Sequence, residues 1–154
     1  MVVMITLLLP MLLYQSPCTS TATDRLLPNI IGVATGADPA WLLDGSSGHF
    51  SNEPNAPVKT LWIFKTRQRV LVKGRERNTG ATTRFQHQGL NGPIGDEMVV
   101  EDPRRESVLP GGTTRELLNV YAFIPSYVFY PHPGCYQFDV EVGETTRHIT
   151  VEIK

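Results

Sequence analysis

Apolar and polar residues alternate most regularly near the end of the chain. Over 136–142, Tyr136, Phe138, Val140 and Val142 share one face, while Gln137, Asp139 and Glu141 share the other. Over 148–153 the alternation resumes, with Ile149, Val151 and Ile153 inward and His148, Thr150 and Glu152 outward. A period of two marks a half-buried strand, because successive side chains point to opposite faces of the pleat. Two such runs around "GETT" (143–146) predict an antiparallel hairpin with a four-residue loop. Earlier, "VKTLWIFK" (58–65) carries Leu61, Trp62, Ile63 and Phe64 in succession, as a central strand covered on both faces would. "RQRVLVKGRER" (67–77) sets Val70 and Val72 against Arg69, Leu71 and Lys73, and Gly74 hints at a bulge. "NVYAFIPSYVFY" (119–130) is extended and aromatic, and "TTRFQHQ" and "DEMVVED" are weaker strands. "RLLPNIIGVATGADP" reads as an irregular first strand with a loop, "AWLLDG" as a short apolar run, and "DPRRESVLPGG" as loop. "TTRELLN" has room for one helical turn, with Thr113 and Glu116 at capping-box spacing.

Short strands with no convincing helix between them predict an all-β antiparallel sandwich of roughly seven to nine strands, rather than alternating β-α units. The 154 residues suit one domain, assigned to 26–154. A 41% hydrophobic fraction can fill a core, and a 19% charged fraction is too low for a disordered chain. Thirteen glycines and twelve prolines, scattered along the chain, supply the turns. A formal net charge of −1 provides no global field toward nucleic acid or anionic lipid.

The first residues form a separate object. Residues 1–13 are uncharged and interrupted only by Thr6 and Pro10. That run is shorter than the ~20 residues of a membrane span and matches a signal-peptide core, although the usual basic start is missing. Residues 1–18 therefore read as a leader and 19–25 as a flexible tether. Cys18 is a lipidation candidate: "QSPC" loosely matches a bacterial lipobox, with Ser16 fitting and Gln15 and Pro17 departing from it. Removal by ordinary cleavage and a disulfide to Cys135 stay open. Two cysteines 117 residues apart make neither a zinc spacing nor a CxxC motif, and export favours a setting where disulfides persist.

The remaining chemistry is sparse. "YPHPGCYQF" holds His132 and Cys135, but a blue-copper site would also need a second His and an axial ligand, and no Met follows Met98. The structural reading is a corner at Pro133, Gly134, Cys135 and Tyr136, with Tyr136 entering the strand on its buried face and its hydroxyl bonded to nearby backbone. On that reading His132 is an exposed loop residue and Cys135 a packed thiol. Asp44, Ser46, Ser47 and His49 are hydrolase-triad residue types, yet they crowd one loop and lack the Gly-x-Ser-x-Gly pattern. Asp96, Glu97, Glu101 and Asp102 could bind calcium, but the two pairs flank a strand and fall at its opposite ends. Arg67, Arg69, Lys73, Arg75 and Arg77, with Glu76 as the one acid, read first as the protected outer face of an edge strand. The sharper alternative is a patch for an anionic partner. Few aromatics interleave, which argues against single-stranded nucleic acid. The expectation is no catalytic residue, no cofactor-binding residue, no cofactor and no metal site.

Phe129, Pro131, Pro133, Gly134, Cys135 and Tyr136, followed by "FDVEVGETTRHITVEI", carry a resemblance, as do "PAWLLDG", "VKTLWIFK" and "VLVKGRE". Roughly residues 39–154 resemble a set of uncharacterised secreted or lipid-anchored bacterial proteins. The resemblance implies an immunoglobulin-like sandwich at the cell envelope and brings no catalytic residues. A more distant likeness, resting on the corner alone, is to bacterial immunoglobulin-like protease inhibitors. The reading is a non-enzymatic exported envelope module, binding or structural. Its partner is an unidentified envelope protein or polymer and not nucleic acid, and it touches membrane only through the leader or a lipid anchor. The alternatives are a secreted hydrolase using the 44–49 loop, or an immunoglobulin-like protease inhibitor.

Overall fold

The structure, a computed structural model, describes residues 17–26, 32–44, 55–87, 92–111 and 114–154. The 1–16 part of the expected leader and the 45–49 part of the candidate hydrolase loop lie outside these residues. Among the described residues there are eleven strands. The first six are β1 (Thr23–Leu26), β2 (Gly32–Ala37), β3 (Ala40–Asp44), β4 (Pro57–Phe64), β5 (Val70–Glu76) and β6 (Arg84–His87). The rest are β7 (Ile94–Gly95), β8 (Glu97–Val100), β9 (Ala122–Phe129), β10 (Gly134–Val142) and β11 (Thr145–Ile153). They form two antiparallel sheets, one ordered β1-β2-β3-β4-β9-β6-β7 and the other β11-β10-β5-β8. The all-β sandwich is as the alternation predicts. The count exceeds seven to nine because β1, mostly polar and exposed, reads as tether, and β7 has two residues, too few for alternation to register.

The inward faces follow side-chain parity. Tyr136, Phe138, Val140 and Val142 of β10 are buried against Trp62 and Phe64 of β4 and Val70 and Val72 of β5. Trp62 meets the Phe138 ring edge-on at 5.2 Å, and its indole N–H donates to Ser126 Oγ at 2.9 Å. A buried indole needs that partner. The successive apolar residues of β4 are also explained. Ile63 points away from the sandwich core into a second cluster with Leu26, Ala34, Trp41 and Phe123, roofed by Leu117, Leu118 and Tyr121. The large sheet is thus covered on both faces at its middle.

Several local expectations change. Gly74 makes no bulge: it pairs regularly with Phe138, and a Cβ there would lie 2.6 Å from the Phe138 ring, so glycine leaves room for that ring. The β10–β11 loop is two residues, since Val142 pairs with Thr145. Gly143 at φ 58° takes the first central position that a tight hairpin turn of this kind reserves for glycine. "DPRRE" is helical rather than loop: α1 (Pro103–Glu106) is one turn with Pro at its start. The Asp102 carboxylate accepts from the N–H groups of Arg104 and Arg105, and Asp102 N–H donates to Glu106. The helical turn in "TTRELLN" is a 3-10 turn over Arg115–Asn119, with Thr114 at its N-cap.

The tether expected over 19–25 is laced into the domain. Thr21 N–H donates to the Thr150 carbonyl at 2.8 Å, and Thr150 N–H donates to Thr21 Oγ1 at 2.7 Å. The chain then enters β1, which pairs along its length with β2. Small polar residues look like linker in sequence, but here they satisfy the outer edge of β11.

Candidate functional site

The corner at 131–136 joins three elements. The Tyr136 hydroxyl donates to the His132 carbonyl at 2.6 Å and lies 3.4 Å from the His132 N–H. A three-residue bend thereby closes on the strand it precedes, as the tyrosine-corner reading predicts. Burial pushes the Tyr136 hydroxyl above its ordinary value despite that bond, so it remains a proton donor. His132 is half-buried rather than exposed: its Nδ1 lies 2.8 Å from the Pro133 carbonyl and its Nε2 3.5 Å from Thr79 Oγ1.

Behind the corner sits a carboxylate with no sequence signature of importance. Glu76, the lone acid in the basic run, is 2% exposed at the end of β5. Its Oε2 accepts from Asn78 N–H, Thr79 N–H and Thr79 hydroxyl at 2.9, 2.5 and 2.8 Å, and its Oε1 accepts from Cys135 N–H at 3.3 Å. Burial raises its carboxyl, but the hydrogen bonds, Thr79 foremost, outweigh burial and hold it below the usual range. Gly134 is required beside it, since a Cβ would lie 2.9 Å from Glu76 Cγ. The only hint in the sequence is an acid within the turn "GRERNTG".

Cys18 and Cys135 form a disulfide. This corrects two expectations. A sulfur bonded to another sulfur has no valence for a lipid thioether, so Cys18 is not acylated in this state, and Cys135 is not a free thiol. Of the three fates left open for Cys18, the structure shows the disulfide. A groove of about 470 Å³ runs past the bond, lined by Pro17, Asn78, Pro133, Glu152 and Lys154 beside the two cysteines.

The basic residues are exposed as expected, but β5 is no edge strand: it lies between β10 and β8. The edge-protection reading therefore fails. Carboxylates stand among the cations instead. Lys73 lies across from Asp139 on one neighbour and Glu97 on the other, 3.7 Å from the Glu97 carboxylate, and Arg69 contacts Glu101 at 3.2 Å. Opposite charges directly across a sheet stabilise the pairing. The four acids weighed for calcium are dispersed: Glu97 and Glu101 meet these cations, Asp102 caps α1, and Asp96 is exposed between β7 and β8. His148 contacts Asp139 at 2.7 Å on the outer face. Among the described residues, no three His, Cys, Asp or Glu side chains gather as a metal site.

A second cavity, of about 260 Å³, opens on the far side of the sandwich between β6–β7 and β8. Phe85, Pro93, Ile94, Met98 and Val99 line it, together with His87. His87 Nε2 lies 2.9 Å from Glu106, and burial holds its imidazole below the ordinary value against the pull of that carboxylate. No periodicity marks this cavity, because strands of only two and four residues form it.

No protein-family model and no curated protein matches the chain. Among solved structures the chain is similar to a crystal structure described as a "Putative Lipoprotein from Bacillus anthracis". The TM-score is 0.54 and the identity 11%, over 99% of this chain and 98% of that one. At that identity the likeness shows a shared fold and nothing finer.

Proposed function

We propose that the protein is a non-enzymatic exported module of the cell envelope that binds or supports another component there. The Cys18–Cys135 disulfide carries this reading. Disulfides form and persist outside the cytosol, where thiols are not held reduced. The non-enzymatic part draws support from how the chemical side chains are used. Glu76 cradles the corner, Asp102 caps a helix, and Asp139 and Glu106 each hold a histidine. The finer immunoglobulin-like assignment belongs to the same reading and draws on the Tyr136 corner.

Cell fractionation with thiol labelling tests it. The expected result is protein in the extracytoplasmic fraction that takes up maleimide only after reduction. Cytosolic protein carrying two free thiols would falsify the export reading. Turnover of esterase, peptidase or glycosidase substrates that vanishes in Ser46→Ala or Ser47→Ala would identify an enzyme instead.

A further inference from the structure

We propose that the Cys18–Cys135 disulfide is a thiol–disulfide exchange site, attacked from solvent at Cys18 Sγ by a dithiol, whose reduction unfastens the N-terminal strap from the edge of β11. Exchange requires only the bond and access to it, so the proposal stands apart from the export reading.

Access is visible in the groove past the two cysteines, which is open to solvent and floored by the ends of β11 and of the 77–80 turn. The two cysteine residues are unequally exposed within it. Cys18 is half-buried, whereas Cys135 is 6% exposed at the start of β10. An incoming thiolate must line up behind the sulfur it attacks, and Cys18 is the more exposed of the two residues at the groove. The Lys154 ammonium at the groove, 3.3 Å from Glu152, offers a cation near the approach.

The chemistry closes without a further reactant. One thiolate of the dithiol bonds to Cys18 Sγ, and the electron pair of the broken bond leaves on Cys135 Sγ, which takes a proton. The second thiol of the reagent then attacks its own sulfur in the mixed disulfide and releases Cys18 as a thiol. The dithiol ends as a cyclic disulfide, and two electrons and two protons have passed to the protein.

Reduction frees one partner only. Cys135 stays in place through β10, through its N–H on Glu76 and through its carbonyl, which accepts from Arg77 N–H at 2.8 Å. The strap is held lightly. Thr21 makes its two bonds to Thr150, and the Ala22 carbonyl accepts from Gly36 N–H at 3.1 Å. Among the described residues before Thr21, the disulfide is the anchor.

The test uses the oxidised full chain in native buffer with dithiothreitol, quenched by maleimide and read by intact mass. The reduction rate is expected to rise in proportion to dithiothreitol and to exceed the global unfolding rate by roughly tenfold or more. A rate that plateaus at the unfolding rate overturns the proposal. Glutathione, a monothiol, should leave its mixed disulfide on the peptide containing Cys18. A predominant adduct on Cys135 refutes the direction of attack. In the reduced and alkylated protein, amide order parameters of residues 18–20 should fall below about 0.6 while those of Phe138 and Val140 stay near about 0.85. An unchanged strap, or loss of order throughout, defeats the claim that the bond fastens the strap alone.

Discussion

The two long sides of the sandwich end in different ways. On one, β11 lies against β2 and β3, and residues 17–22 run along its outer edge between the disulfide and β1. Backbone hydrogen bonds and a covalent bond close that side, and the buried Glu76 carboxylate holds the corner that carries Cys135. On the other, β8 lies against β6, and among the described residues the gap between the sheets is lined by side chains around a cavity, with Ile94 48% exposed. Exposed strand edges invite pairing with other chains. The closed side removes its edge with the chain's own N-terminal segment, whereas the open side keeps its edge strands to two and four residues. One side resists change through bonds distant in sequence, and the other remains available for contact.

The difference can be broken at its strongest point first. The chain-entropy effect of a bond closing 117 residues is about 5 kcal/mol. Cys18→Ser with Cys135→Ser should lose stability on that scale, about 3–5 kcal/mol by denaturant unfolding. A loss under about 1 kcal/mol would mean that the closed side does not depend on its covalent bond. Trp62→Ala strikes the core shared by both sides and should cost ~3–5 kcal/mol. An unchanged unfolding midpoint in that variant would show that β4 is not the packing centre.

Glu76→Gln sharpens the contrast through pH. The carboxylate is held below its ordinary 4.5, so its contribution is fully present above that pH and is lost as pH falls through the lower folded value. The variant should cost about 2 kcal/mol at neutral pH, the scale of bonds to a charged acceptor, and flatten the acid limb below pH 4.5. Identical acid limbs in the two proteins would remove Glu76 from the account. The open side responds to pH through a histidine instead. His87 is held below its ordinary 6.5, so the unfolded chain takes the proton first. Its effect begins as pH falls below 6.5 and levels off beneath the folded value. His87→Gln should remove that decline, measured as unfolding free energy at successive pH values. A decline of equal size in wild type and variant would locate the titrating group elsewhere. Ile94→Ser on the open rim should change stability by less than about 0.5 kcal/mol, as surface substitutions do. A larger loss would show that this rim is packed rather than open.

Much of the fold was legible because alternation reports burial directly. Both faces of β10 and the inward set of β11 came from parity alone, and the Trp62 strand from its unbroken apolar run. The Tyr136 corner was legible because two prolines and a glycine leave the chain few ways to turn before an aromatic inward position. The position of β5 was not: a basic outer face looks the same at a sheet edge or in its middle, and only the partners Asp139 and Glu97 distinguish the two. Glu76 was hidden for a similar reason. Its four donors come from a turn that follows it and from a strand 59 residues away.

By itself, then, the sequence determined the class of fold, the inward faces of the long strands, the hairpin at the end and the corner before it, because these depend on neighbours a few residues apart. The tertiary structure decided the fate of Cys18, the path of residues 17–22, the middle place of β5 and the cradle around Glu76. Each of those joins segments far apart in the chain, and local pattern carries no record of which distant backbone will arrive at an edge, a turn or a sulfur.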